Sequence, residues 1–103
     1  MDSVNDYKSL KYRLQSEKQV WVYFYAPLCG TCELARYFLN IVEKAEQAEV
    51  AIEADLNYFK KEAEVWGIES VPCLVRFEDG KPESKLYAFE SVSNVYDFIK
   101  NRN

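Results

Sequence analysis

Apolar residues recur at a helical period in four stretches of the chain. In the first stretch, Tyr7, Leu10 and Leu14 predict a helix over about residues 5–17. The preceding Ser3–Asp6 predicts a capping box at the start of this helix. The other helices are predicted from three further sets: Ala35, Phe38, Leu39 and Val42; Phe59, Ala63 and Trp66, with Gly67 just past the end; and Val92, Val95, Phe98 and Ile99.

Other stretches have the composition of strands. Val20–Tyr25 is apolar without alternation, which is typical of a strand buried on both faces. Val50, Ile52 and Ala54 alternate with Ala51, Glu53 and Asp55, which suggests a second strand, and Cys73–Phe77 also reads as a strand. After a turn at Asp79–Gly80, the segment Lys85–Phe89 is predicted to return antiparallel to the strand before it.

The predicted order of elements is α-β-α-β-α-β-β-α. Strands separated by helices favour parallel crossovers, and the final hairpin adds an antiparallel edge. We therefore expect an α/β fold, a three-layer α/β/α sandwich with a mixed central sheet of about four strands. The chain has 103 residues, 49% of them hydrophobic, which predicts a single domain over residues 1–103 with one packed core.

Composition excludes several classes of function. The net charge of -4 disfavours nucleic acid and anionic membrane surfaces as partners. Met1–Asp6 is polar, unlike the start of a secretory signal, and the apolar run Val20–Leu28 is too short to span a bilayer. We expect a cytoplasmic monomer without a membrane segment. The absence of histidine removes Cys-His catalysis and Cys/His zinc sites, and no metal or other cofactor is predicted.

Cys29 and Cys32 follow a predicted strand and open a predicted helix. A thiol at a helix start meets unpaired N–H groups and the positive end of the helix dipole, which lowers its pKa below the ~8.5 of a free cysteine. Cys32 lies almost one turn further on, so its sulfur can reach back. This context favours a redox pair in which Cys29 attacks and Cys32 resolves. Two buried structural thiols, or half of a metal site completed by a second chain, are the alternatives.

Several motifs resemble the thioredoxin family over nearly the whole chain. They are Tyr25–Cys32 after the central strand, Asp55 at the end of the next strand, and Trp66–Pro72. The resemblance implies that Pro72 is a cis proline beside the cysteine pair and that the Val71 backbone pairs with an extended substrate segment. It also implies that Leu28, Gly30 and Thr31 border the substrate. Together with Val71 and Pro72, these are the residues expected to position the substrate.

The chain departs from the family pattern at several of these positions. Leu28 stands where the family usually has tryptophan, and Thr31 replaces a proline, which restores a backbone N–H at the helix start. Tyr23 replaces a buried aspartate that assists the second cysteine, and a tyrosine of pKa near ~10 cannot act as that base. Glu53 replaces a common lysine; we expect it to be solvated, and it could move a proton only if it pointed inward. The family's first strand has almost no residues here.

Cys73 is the third cysteine of the chain and directly follows Pro72. Neighbours along a strand point to opposite faces, so a Pro72 that faces the active site predicts a Cys73 in the core. A bend at the proline would instead bring Cys73 towards Cys29 as an auxiliary thiol.

The sequence thus predicts a thioredoxin-type thiol-disulfide oxidoreductase that acts in cell redox homeostasis and electron transport. Its expected partners are protein disulfides and a reductant, either a reductase or a low-molecular-weight thiol. The alternative functions are a non-catalytic binding module that keeps the fold, and a thiolate metal or iron–sulfur site shared between chains.

Overall fold

Helices and strands alternate along the chain in a computed structural model whose described residues are 1–100. A short 3₁₀ turn, Leu56–Phe59, precedes the third helix. The elements in chain order are α1 Tyr7–Ser16, β1 Gln19–Tyr25, α2 Gly30–Glu46, β2 Ile52–Asp55, α3 Lys60–Trp66, β3 Cys73–Glu78, β4 Lys81–Leu86 and α4 Val92–Ile99. The predicted order of elements is confirmed.

The sheet has four strands in the order β2-β1-β3-β4. Strand β1 is parallel to β2, with Tyr23 opposite Glu53, and antiparallel to β3, with Phe24 opposite Cys73. Strand β4 is antiparallel to β3 and shifts register between Arg76 and the next residue. The mixed sheet of four strands is as predicted, but the expected parallel crossover through α3 is wrong, because β3 runs antiparallel to β1.

Both faces of the sheet are covered by helices, which confirms the three-layer arrangement. The face towards α1 and α3 packs around Phe24, and the face towards α2 and α4 packs around Tyr23. Both of these neighbours in β1 are fully buried, as the unbroken apolar run predicted. Among residues 1–100, no helix combines the length and the apolar character needed to cross a membrane.

The start of α1 differs from the prediction. Asp6, not Ser3, caps the helix, and its carboxylate accepts the N–H of Ser9 at 2.8 Å. Ser3 lies further from the helix and forms an isolated parallel bridge with Glu53 instead. The backbone there makes two hydrogen bonds with β2: Val4 N–H to Glu53 at 2.9 Å and Glu53 N–H to Asp2 at 2.8 Å. A remnant of the family's first strand is thus present, although the sequence has few residues for it.

The hairpin strand also differs from its predicted position. Strand β4 covers Lys81–Leu86, so the prediction of Lys85–Phe89 was four residues late at its start. The tight turn at Asp79 and Gly80, both with positive φ, starts the return strand at once. Phe89 lies beyond the strand and is buried in the core under α4.

Candidate active site

Cys29 and Cys32 are joined in a disulfide at the start of α2, with their Cα atoms 5.2 Å apart. Cys29 is the N-cap residue of the helix, and its sulfur accepts the N–H of Cys32 at 3.2 Å. Cys29 is partly exposed whereas Cys32 is fully buried. Because only the first sulfur is open to solvent and faces the helix amides, the two cysteines are chemically unequal, as nucleophile and resolving thiol must be.

A short loop carries the chain from β1 into this helix. Leu28, the residue before Cys29, has a φ of 61° and exposes its entire side chain. A left-handed backbone is costly for a residue with a Cβ, and a fully exposed leucine gains nothing from burial. The structure therefore holds an apolar side chain in solvent directly beside the more exposed sulfur.

The loop before β3 ends at the same edge of the sheet. Because Phe24 pairs with Cys73, the next residues outward, Tyr25 and Pro72, both lie at the edge from which the cysteine loop starts. The Val71–Pro72 peptide bond is cis, and both residues are partly exposed. The family resemblance assigned Val71 and Pro72 to the site. The sheet register puts their loop and the cysteine loop at the same end of the strands.

Tyr23 lies beneath the helix start. Its hydroxyl donates to the carbonyl oxygen of Cys32 at 2.6 Å, and its ring packs edge-on against Phe89. Burial raises the pKa of Tyr23 well above its ordinary value. The phenol therefore keeps its proton at neutral pH, and Tyr23 acts as a hydrogen-bond donor where the family has a buried acid.

Glu53 is not solvated, contrary to the prediction. Its side chain is 16% exposed and pairs with Arg36 at 3.3 Å. Arg36 also pairs with Glu33 at 2.5 Å and places its guanidinium 4.6 Å from the ring centre of Tyr25. Glu53 is inside because the parallel register sets it beside Tyr23, on the face covered by α2. Its carboxylate is paired with a cation, so its inward position does not make it a free base for proton transfer.

Cys73 lies on the other face of the sheet from α2. It is fully buried in the core cluster that includes residues of α1 and α3. Burial raises the pKa of this thiol to about 11. Both observations describe a structural thiol, the expectation based on the alternation of side chains along the strand.

The described part of the chain offers no group of three or more His, Cys, Asp or Glu side chains arranged to hold a metal ion. A thiolate site shared between two chains would have to draw its further ligands from the second chain.

Two features of the site were missed from sequence. The first is the stacking of Arg36 on Tyr25; the spacing of Arg36 four residues after Cys32 signals only that both share a helix face. The second is Tyr87, whose hydroxyl contacts the loop before Pro72. In the sequence, Tyr87 is only an aromatic residue directly after a strand. That arrangement is too common to indicate a functional role.

Comparison with known proteins agrees with this geometry. The family model described as Thioredoxin matches residues 3–101. The chain is 40% identical over 81 residues to the thioredoxin-like protein YusE of Bacillus subtilis, across 79% of this chain and 76% of that protein. It is 24% identical over 100 residues to the thioredoxin of Mycoplasmoides gallisepticum, across 97% of this chain and all of that one.

A solved thioredoxin of Plasmodium falciparum has a similar fold, with a TM-score of 0.83 over the full length of both chains at 20% identity. At that identity the likeness supports the fold alone, whereas the family model and the bacterial relative carry the assignment. The motif Cys29–Cys32 lies within the matched range, at disulfide distance. The chain therefore belongs to the thioredoxin family, and it is a thiol-disulfide oxidoreductase.

Proposed function

We propose that this protein reduces or exchanges disulfides of cytosolic proteins through Cys29 and Cys32. The proposal rests on one observation above all: the partly exposed sulfur of Cys29 caps α2 and accepts an N–H at 3.2 Å, while the second sulfur is buried behind it. N–H groups aimed at a sulfur stabilise its negative charge, so the reduced Cys29 is a thiolate and a nucleophile at neutral pH.

In the first step, the Cys29 thiolate attacks one sulfur of a substrate disulfide. A bond forms between Cys29 and that sulfur, the substrate S–S bond breaks, and the other substrate sulfur leaves as a thiolate that takes a proton from solvent. The product is a mixed disulfide between the two proteins.

In the second step, Cys32 loses its proton and attacks the sulfur of Cys29. The Cys29–Cys32 disulfide forms, the mixed disulfide breaks, and the substrate's second sulfur leaves as a thiolate. The substrate has gained two electrons and the cysteine pair has lost two. Tyr23 keeps its proton and Glu53 is paired with Arg36, so the proton of Cys32 passes to the departing thiolate or to water.

Substrate positioning is assigned to the two loops beside the cysteines. The Val71 backbone would pair with an extended substrate segment, with Pro72 next to it, in the manner of β-augmentation. Leu28 would contact apolar side chains of the substrate, since its own is fully exposed. Gly30 and Thr31 would line the approach to Cys29, because both are exposed between the two cysteines.

The decisive experiment is reduction of insulin disulfides with dithiothreitol as the electron source. The wild type should accelerate the reaction, and Cys29→Ser should be no faster than dithiothreitol alone. Cys32→Ser, reduced and then freed of dithiothreitol before insulin is added, should accumulate the mixed disulfide, visible by mass spectrometry, because the first step proceeds and the second cannot. Equal insulin reduction by the wild type and Cys29→Ser would end this proposal.

One observation favours a second candidate role beside catalysis, the binding of a partner without disulfide exchange. Tyr23 replaces the acid that assists the second cysteine, and Glu53, which lies opposite Tyr23 in the sheet, is held by Arg36. Binding of this kind would give a partner complex that survives replacement of both cysteines by serine. A partner held only through disulfide exchange would be lost in the same variant.

The electron donor and the compartment belong to the proposal as well. The odd number of cysteines supports a reducing compartment, since disulfide-stabilised secreted domains pair theirs. A reductase or a low-molecular-weight thiol would return the Cys29–Cys32 disulfide to the dithiol after each turnover.

A further inference from the structure

The loop between α3 and β3 carries Val71 and lies outside regular structure, although Ile68 within it is buried in the core and donates its N–H to the carbonyl oxygen of Ala63 at 2.9 Å. It begins at Gly67, whose φ is 69°, and its next residues up to Ser70 and Val71 lie outside helices and strands. Glu69 and Ser70 are exposed. A loop of this kind needs contacts from elsewhere if it is to hold the Val71 backbone in one place for a substrate.

The hydroxyl of Tyr87 makes those contacts. It accepts the N–H of Glu69 at 3.2 Å and donates to the carbonyl oxygen of Gly67 at 3.3 Å. One hydroxyl group thus connects the beginning of the loop to its middle.

The sheet register explains why Tyr87 reaches this point. Leu74 pairs with Leu86 across β3 and β4, so the next pair outward is Cys73 with Tyr87. The ring of Tyr87 packs against the core cluster that contains Cys73, which fixes the position of the hydroxyl. A side chain anchored in the sheet therefore holds a loop that has no strand partner of its own.

From this geometry we propose that Tyr87 is a positioning residue for protein substrates: its hydroxyl holds residues 67–71 so that the Val71 backbone is presented to an extended peptide segment. The inference rests on the proposed function and adds a consequence. A substrate bound through its peptide backbone depends on Tyr87, whereas a small disulfide without a peptide backbone depends only on the cysteines.

Tyr87→Phe tests this, because it removes the hydroxyl and keeps the ring in the core. With insulin as substrate, the KM should rise at least about fivefold at unchanged kcat, because the variant loses two neutral hydrogen bonds and one alone corresponds to about that factor. With oxidised lipoate, a small cyclic disulfide, kcat/KM should equal that of the wild type. Tyr12→Phe is the matched control, since Tyr12 is 70% exposed on α1, and both of its rates should be unchanged.

Amide hydrogen exchange gives a second readout that needs no catalysis. The Glu69 amide should be protected in the wild type and should exchange faster in Tyr87→Phe, with the amides of β1 unchanged. If the variant does not fold, the wild type alone decides: a Glu69 amide that exchanges like an unprotected one would overturn the proposal.

The kinetic outcomes distinguish a failure of the Tyr87 positioning role from a failure of the proposed function. Unchanged insulin kinetics in Tyr87→Phe, or an equal loss with insulin and lipoate, would overturn the positioning role. A wild type that is inactive on both disulfides would overturn the proposed function itself, and that result is visible before any variant is made.

Discussion

The hydroxyl of Tyr23 donates a hydrogen bond of 2.6 Å to the carbonyl oxygen of Cys32, so the central strand is tied to the first turn of α2. The donor is fully buried, and the acceptor belongs to Cys32, the buried cysteine of the disulfide. Strand and helix are therefore connected directly beneath the disulfide, through a residue type that cannot serve as a base.

Tyr23→Phe should lower the free energy of unfolding by about 1 kcal/mol, because it removes one buried hydrogen bond and little volume. Urea unfolding of the reduced protein measures this change. Tyr58→Phe is the control, since Tyr58 is 62% exposed, and it should unfold like the wild type. Identical stability of Tyr23→Phe and the wild type would mean that the contact contributes nothing.

Arg36→Met should be destabilising, because it leaves Glu53, whose side chain is only 16% exposed, without its cation. We expect a loss of about 2 kcal/mol in urea unfolding, less than for a fully buried pair because solvent screens part of the charge. Glu33→Gln removes only the exposed partner of Arg36 and should cost less than about 0.5 kcal/mol. A double variant, Arg36→Met with Glu53→Gln, should recover part of the loss; no recovery would contradict the pairing argument.

Leu28→Gly should be more stable than Leu28→Ala by about 1 kcal/mol, since only glycine adopts a φ of 61° without a Cβ penalty. The two variants remove nearly the same exposed side chain, so their difference isolates the backbone cost. Thermal unfolding compares them. Both should raise the KM for insulin to a similar degree, because both lose the apolar contact with substrate; an unchanged KM would remove Leu28 from the substrate surface.

The thiol of Cys73 should resist alkylation in the folded, reduced protein. With its pKa raised to about 11 by burial, it is neutral at pH 7, and mass spectrometry after iodoacetamide treatment should show label on Cys29 first. Because the folded pKa lies above the ordinary value of 9.0, the stabilisation from this neutral thiol is complete below pH 9 and is lost as the pH rises towards 11. The stability difference between the wild type and Cys73→Ala should shrink over that range. Rapid labelling of Cys73 in folded protein would disprove its burial.

The parts of the fold that sequence predicted are those governed by local pattern. The unbroken apolar run of β1 indicated burial on both faces, and Gly67 marked the end of α3. The start of α1 was placed wrongly because Ser3 and Asp6 are both good capping residues, and a tertiary contact decided between them: Ser3 is used in the bridge to Glu53.

In the candidate site, too, local pattern predicted some features, whereas tertiary contacts decided others. The order of Cys29 and Cys32 after a strand was sufficient to predict unequal thiols. The pairing of Glu53 with Arg36 was not predictable, because these residues are 17 positions apart and meet only through the register of β1 with β2 beneath α2. Tyr87 was missed for a related reason. Its hydroxyl contacts Glu69, 18 positions away in the chain, and no pattern near Tyr87 itself indicates this contact.

The short bridge between the N-terminal segment and β2 has a consequence for how copies of this protein behave together. An open outer strand offers unpaired N–H and C=O groups that can nucleate aggregation. On the outer strand β2, the backbone N–H and C=O of Glu53 are hydrogen-bonded to Asp2 and Val4. On the other outer strand, Pro82 removes a donor from β4, and Lys81 and Lys85 add charge. The two outer strands, β2 and β4, therefore discourage pairing between copies of the protein. The end of the sheet that carries the cysteines stays open to other chains.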